Sequence, residues 1–225
     1  MPFGAVIFDC DGTLVDSELL GNQVLVECIA ELGLTFPLEE AVAQFTGGKM
    51  ADCIAVIEQR LGYAVPTDFV PEVRRRMAEA FHAQLQPVAG IETVLQDLQL
   101  PYCVASSGPR EKIELSLYTT GLLHYFQGRI FSAYEVGSWK PAPGLFLHAA
   151  HALSVPPERC AVIEDSVLGV QAGRAAGMTV FGYAPSGNGA SLAAVGAHPF
   201  TSMAALLPLL QQDAGHASGL ASKRL

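Results

Sequence analysis

Val6-Ile7-Phe8-Asp9-Cys10-Asp11-Gly12-Thr13-Leu14-Val15-Asp16 is the stretch from which the fold can be read. The apolar run Phe3 to Phe8 has the length of a buried strand. Side chains alternate along a strand, so Asp9 and Asp11 fall on one side of the chain and Cys10 on the other, toward the core. Gly12 allows a sharp turn directly afterwards. Two carboxylates at the mouth of a buried strand are unfavourable unless a cation or a reaction holds them there. One of them can bind a metal and attack an electrophile while the other shuttles a proton.

Two plainer readings fit less well. A calcium loop needs Gly at its sixth position and Glu at its twelfth. Counted from Asp9, those positions hold Leu14 and Leu20. A pair of surface turn aspartates explains neither the apolar strand before the acids nor Thr13-Leu14-Val15-Asp16 after them.

Outward from this stretch the pattern turns helical. Ser17 is placed to cap a helix from about Glu18 to Leu32, ended by Gly33, with Leu19, Leu20, Val24, Cys28 and Leu32 as its apolar face. Helices follow at about Leu38 to Phe45, Met50 to Leu61 and Thr67 to Leu85, punctuated by Pro37, Pro66 and Pro87. No strand is predicted between Val15 and Pro87. Residues 16–87 therefore read as a helical cap inserted into a core of residues 1–15 and 88–213, and residues 214–225 as a frayed tail. From Gly90 onward helices (91–98, 110–118, 143–153, 167–176) alternate with strands (102–106, 129–133, 160–164, 179–183). That alternation predicts an α/β fold, a Rossmann-like parallel sheet with helices on both faces. Right-handed crossovers put the C-terminal ends of all strands at one edge, where ligands bind.

Three further segments arrive at that edge. Val104-Ala105-Ser106-Ser107-Gly108-Pro109 ends a strand and opens a helix, and a hydroxyl with backbone N–H groups there suits an anion, although a serine can equally serve as an ordinary cap. Ser138-Trp139-Lys140-Pro141-Ala142-Pro143 holds one lysine between a tryptophan and prolines. Val162-Ile163-Glu164-Asp165-Ser166 brings two more acids to a strand exit, where Asp165 or Ser166 can also cap the next helix. Asp9, Asp11, Glu164 and Asp165 cannot all ionise together without cations. A hard, oxygen-liganded divalent ion resolves this, and Mg2+ is the usual choice beside phosphate. Zinc is disfavoured, since no His/Cys cluster has ligand spacing. A Walker loop is absent, with Ala43 where its first glycine belongs and Met50 where Ser or Thr belongs.

Residues 9–18, DCDGTLVDSE, resemble the first motif of the haloacid dehalogenase superfamily in its phosphatase branch with a helical cap. The three later segments resemble its second, third and fourth motifs, in order. The resemblance implies that Asp9 is the nucleophile and Asp11 the acid and base. It implies that the Ser106 hydroxyl and the Ser107 N–H hold phosphate, and that Lys140 neutralises the nucleophile–phosphate pair. It assigns Mg2+ to carboxylate oxygens of Asp9 and Asp165 and a backbone oxygen of Asp11, with Glu164 a ligand directly or through water. Gly144 stands where the family often has Asp. In the cap, Phe45-Thr46-Gly47-Gly48-Lys49 looks like a substrate-specificity loop, with Gly47 and Gly48 for close approach and Lys49 to meet a carboxylate or hydroxyls. Of Arg74, Arg75 and Arg76, one or two can face the site from a helix, and Arg76 is the candidate.

The 225 residues carry a net charge of −9, and the pI is about 5.0. Nucleic acid and anionic membrane are thereby disfavoured as partners, while a small phosphorylated metabolite remains compatible through local cations and a metal. Five cysteines, an odd number without framework spacing, predict reduced thiols and a cytoplasmic protein. No signal peptide is read at the N-terminus, and no apolar stretch approaches the ~20 residues of a membrane span. A monomer or weak homodimer is expected.

Mg2+-dependent hydrolysis of a small phosphate ester through an aspartyl-phosphate is the expected function. Ser107-Gly108-Pro109, Leu123-His124-Tyr125-Phe126 and Trp139-Lys140-Pro141 resemble bacterial 6-phosphogluconate phosphatases, implying a sugar or sugar-acid phosphate such as 6-phosphogluconate. A β-phosphoglucomutase-like mutase is the nearest alternative. Such mutases carry a cap histidine at about the position of Gly21, and this chain has no histidine before His82. A non-catalytic phosphometabolite-binding protein is the second alternative.

Overall fold

Strand β1, Ala5–Phe8, is buried along its whole length. A strand covered on both faces has no polar side to present, which is why its sequence is continuously apolar. In the computed structural model residues 3–212 are described, and the tail predicted for 214–225 lies outside the described residues. After β1 come helices α1 (Glu18–Glu31), α2 (Leu38–Phe45), α3 (Met50–Leu61), α4 (Phe69–Gln84) and α5 (Ile91–Asp97). The chain continues through β2 (Tyr102–Ser106), α6 (Arg110–Thr119), β3 (Ile130–Ser132), α7 (Ala133–Val136), α8 (Gly144–Ala152), β4 (Cys160–Glu164) and α9 (Val167–Ala175). It closes with β5 (Thr179–Tyr183), α10 (Gly189–Ala194), β6 (His198–Phe200) and α11 (Leu206–Gln212).

All six strands pair in parallel in the order β3-β2-β1-β4-β5-β6. This is the Rossmann-like order, in which ligands bind at the strands' carboxyl ends near the reversal of strand order. Phe8 lies opposite Val104 on one side and Ile163 on the other. One residue further on, Asp9 stands among the ends of β2 and β4, and its N–H donates to the Ile163 carbonyl at 2.9 Å. The register itself thus brings Asp9, Ser106 and Glu164 to one edge. One apolar layer, including Phe8, Phe126 and Met203, covers one face of the sheet. The other, including Ile7, Phe146 and Val170, covers the opposite face.

Helices α1 to α4 share a separate apolar cluster built on Leu25, Ile29, Phe36, Phe45, Ile57 and Val73. Burying side chains of this size is worth about 1.5–3 kcal/mol each, so the insertion has a core of its own. The chain leaves the sheet and returns to it side by side. Asp16 N–H donates to the Gln86 carbonyl at 3.0 Å, and Val88 N–H to the Leu14 carbonyl at 3.0 Å.

Two local expectations are corrected, and one strand is added. Helix α1 buries Val24, Leu25, Cys28 and Ile29, while Leu19 is 58% exposed, because its inner face is set by packing on α2 and α4. Ser17 has helical backbone angles and its side chain caps nothing. Its hydroxyl donates to Asp11 Oδ1 at 2.6 Å, a charge-assisted bond stronger than the neutral cap it replaces. The edge strand β6 was not legible, being three residues long with Pro199 at its centre.

Candidate active site

Lys140 is the hub of the site. Its ammonium, almost wholly enclosed, donates both to Asp9 Oδ1 and to Glu164 Oε1. It lies 5.2 Å from the centre of the Phe146 ring. Burial weakens its hold on its proton, but the Asp9 and Glu164 carboxylates outweigh burial and keep it charged well above the ordinary lysine range. Gly144, where the family often has Asp, opens α8, and a Cβ there would sit 2.5 Å from Ser138 Oγ. Close packing of Ser138 thus accounts for the missing side chain.

Glu164 is fully buried and fully engaged. Its Oε2 accepts from the N–H groups of Asp165 and Ser166 at 3.0 Å each and from the Ser166 hydroxyl at 2.9 Å. Ser166 in turn caps α9 by accepting from Gly169 N–H at 3.0 Å, the capping role expected of it or of Asp165. A Cβ on Gly169 would lie 1.8 Å from Glu164 Oε1, so only glycine leaves room for this carboxylate. Gly169→Ala is accordingly expected to displace Glu164, lower the melting temperature and cut turnover at least ~10-fold, read by calorimetry and phosphate release.

Asp11 sits one turn further out. Ser17 donates to its Oδ1, and Lys112 Nζ donates to its Oδ2 at 2.9 Å. Burial raises its affinity for a proton, but Lys112 and Ser17 more than offset this and hold it below the usual carboxylate range. Lys112 was not foreseen. It lies in the first turn of α6, where a cation opposes the helix dipole, and that misplacement is the signal that could have marked it. Cys10 points into the apolar layer, and burial pushes its thiol well up, so it is inert packing as expected.

Ser106 is buried at the end of β2, and its Oγ accepts from Gly108 N–H at 3.1 Å. The Ser107 hydroxyl is buried without a hydrogen-bond partner among the described residues. Ser106, Ser107 and Gly108 line the same cavity as Asp9, Asp11 and Lys140. That cavity has a volume of about 410 Å³, room for a small metabolite, and lies between the sheet edge and the helical insertion.

Oxygens of Asp9, Glu164 and Asp165 lie within 4.8 Å of one another. Asp165 packs against Gly12, where a Cβ would come within 2.0 Å of its Oδ2 and φ is +69°. Burial, then the neighbouring acids, push Asp165 well above the carboxylate range. Burial likewise pushes Asp9 up to about 8, against the pull of Lys140. Two hard carboxylates that resist ionisation side by side, with no His or Cys in the group, fit a divalent metal ion. Between about pH 4 and pH 8 the folded, metal-free protein therefore holds a proton on Asp9 that the unfolded chain has released, and Asp165 is shifted in the same direction. More protons bound in the folded state means that stability falls as pH rises. In EDTA the melting temperature is expected to fall from pH 5 to pH 8, and added Mg2+ to restore more of it at pH 8 than at pH 5. A rise with pH in EDTA would contradict this electrostatic reading.

The insertion meets the site through the loop after α2. Gly47, at φ +71°, approaches so closely that a Cβ would lie 2.6 Å from Ser166 Oγ. Gly47 and Gly48 line the cavity as expected. Lys49 does not, because its ammonium stands over the Trp139 ring, 4.8 Å from the centroid. Arg76 also turns away, pairing with Glu31 Oε2 at 2.9 Å and with Glu72 at 2.7 Å. Arg74 lines the cavity instead. Two residues on, the helix has rotated by roughly 200°, so Arg74 and Arg76 face nearly opposite ways.

A parallel sheet whose central strand ends in paired aspartates, with a lysine and a second acidic pair converging on the first of them, defines a Rossmann-like α/β protein with a helical insertion and a carboxylate–lysine site at the sheet edge. Residues 3–177 match the haloacid dehalogenase-like hydrolase family, and the chain belongs to it. It is 39% identical over 178 residues to the 6-phosphogluconate phosphatase of Escherichia coli, covering 79% of this chain and 80% of that protein. Among solved structures it resembles a conserved haloacid dehalogenase-like protein of unknown function from Agrobacterium tumefaciens, with a TM-score of 0.83 and 30% identity over 94% of this chain and 99% of that one. It also resembles a haloacid dehalogenase family hydrolase from Deinococcus radiodurans, solved with bound phosphate and sodium, with a TM-score of 0.76 and 34% identity over 95% of this chain and 97% of that one.

Proposed function

We propose that the protein is a Mg2+-dependent phosphatase of a small phosphorylated metabolite, a sugar or sugar-acid phosphate such as 6-phosphogluconate. The observation that carries the reading is the Lys140 ammonium bridging Asp9 and Glu164 at the floor of the cavity, beside Ser106. The 39% identity to a 6-phosphogluconate phosphatase supports the substrate class.

Asp9 is the nucleophile, and one of its carboxylate oxygens attacks phosphorus and forms an aspartyl-phosphate. Asp11 protonates the leaving alkoxide and then takes a proton from the water that hydrolyses this acyl phosphate and frees Asp9. Lys140, the Ser106 hydroxyl and the N–H groups after it stabilise charge on the transferring phosphoryl group. Glu164 positions Lys140. Asp9, Asp165 and the Asp11 carbonyl would hold Mg2+, which would neutralise phosphate charge and relieve the repulsion among the acids. Residues 16–87 act as a cap over a core of residues 1–15 and 88–213, moving about the paired crossings at Val15 and Pro87 and excluding water from the first step. The five cysteines are all free and buried, which fits a cytoplasmic enzyme. No helix among the described residues is long and apolar enough to cross a membrane.

A mutase is less well supported, since Gly21 lines the cavity and, among the described residues, no histidine does. The test is phosphate release from a panel of esters with Mg2+ present. The largest kcat/KM is expected for a sugar or sugar-acid phosphate, and a flat profile or one led by unrelated esters would refute the substrate class.

A further inference from the structure

Among the described residues three cations line the cavity: Lys140, Lys112 and Arg74. Two are already committed, Lys140 to Asp9 and Glu164, and Lys112 to Asp11. Arg74 has no carboxylate partner among the described residues, whereas its neighbours Arg75 and Arg76 are both held by acids, Glu72 and Glu79 for one and Glu31 and Glu72 for the other. Arg74 rests instead on a neutral group. Its Nη2 donates to the Tyr134 hydroxyl at 3.2 Å, and its guanidinium lies 5.8 Å from the centre of that ring. Tyr134 is itself steadied edge-on by Trp139, with ring centroids 5.3 Å apart.

We infer that Arg74 is the specificity-determining residue that reads a carboxylate on the end of the substrate remote from the phosphate. This rests on the phosphatase reading above and narrows it to phosphorylated sugar acids. A planar guanidinium offers two parallel N–H donors matched to a carboxylate, and a charge-assisted pair is stronger than the neutral bond to Tyr134 that it would supplement or replace. The phosphate end is served by Lys140 and Ser106, so the remaining cation on the wall is available to a second anionic group. A neutral sugar phosphate would leave Arg74 on Tyr134 and gain nothing from it. Of the cations that the sequence suggests for this task, neither lines the cavity: Lys49 stands over Trp139, and Arg76 is held by Glu31 and Glu72.

The experiment compares 6-phosphogluconate with glucose 6-phosphate, which carries no carboxylate, using the full chain with Mg2+. Wild type is expected to favour the acid. Arg74→Met is expected to lower the ratio of the two kcat/KM values about 10- to 100-fold, chiefly through KM for the acid. Arg74→Lys, which keeps the charge and loses the fork, is expected to restore part of the ratio. Circular dichroism verifies that both variants fold. A wild-type preference that survives Arg74→Met overturns this assignment and leaves the sugar-acid reading standing. A wild-type ratio near or below one overturns both. Loss of both activities in equal proportion in Arg74→Met assigns the residue to general cap architecture and also overturns the inference.

Discussion

Asp9→Asn is expected to abolish phosphate release and leave the fold intact. The amide is nearly the same shape as the carboxylate, so β1 and its register with β2 and β4 are undisturbed. It cannot attack phosphorus, and removing a covalent nucleophile costs roughly four to six orders of magnitude in turnover. Stability should move the other way. Asp9 is buried beside Glu164 and Asp11 and resists ionisation up to about 8, so an uncharged residue there relieves repulsion. Lys140 keeps one acid, Glu164, and the pair stays balanced. In EDTA at pH 8 the variant should therefore melt at or above the wild-type temperature. Substantial residual turnover would sink the assignment of Asp9, and a large drop in melting temperature would contradict the electrostatic account.

Lys140→Met is expected to cut activity severely, though by less than Asp9→Asn, and, unlike Asp9→Asn, to damage the fold as well. Met fills the space beside Phe146 without strain, so the change removes charge rather than volume. Loss of a preorganised cation facing the phosphoryl group is worth about 10²–10³ in kcat. Two enclosed acids lose their common partner, with side-chain exposures of 7% for Asp9 and 0% for Glu164. Breaking a buried pair from one side costs about 3–5 kcal/mol. In EDTA at pH 6 Asp9 already holds a proton, so only Glu164 loses a charged partner, and destabilisation should be smaller there than at pH 8, where Asp9 begins to ionise. Calorimetry at the two pH values checks this, and equal melting of variant and wild type at pH 8 would contradict it.

The core of the site was legible because each group in it follows a strand. An apolar run that ends in acids, serine or glycine announces a strand exit, and a parallel sheet gathers those exits at one edge. Asp9, Asp11, Ser106, Glu164 and Asp165 are positioned this way, and Lys140 follows a short strand. What was not legible depends on contacts between segments. Lys112 reaches Asp11 only because β2 lies next to β1, which spacing along the chain does not reveal. Ser17 looked like a cap and is a partner of Asp11, since a carboxylate six residues back competes with the helix for its hydroxyl. Which arginine of the 74–76 run faces the cavity depends on the rotation of α4, set by Val73 and Phe81 locking into their apolar clusters. The end of the chain after Tyr183 was hidden for a simpler reason. An edge strand of three residues and a short helix with Pro208 inside its first turn give almost no periodic signal.

The most direct measurement is mass spectrometry of wild-type protein quenched in acid during turnover of 6-phosphogluconate with Mg2+. The account predicts one added phosphoryl group on the peptide that contains Asp9, absent from Asp9→Asn treated identically. Phosphate release at full rate with that peptide never modified, or modified equally in Asp9→Asn, would contradict it.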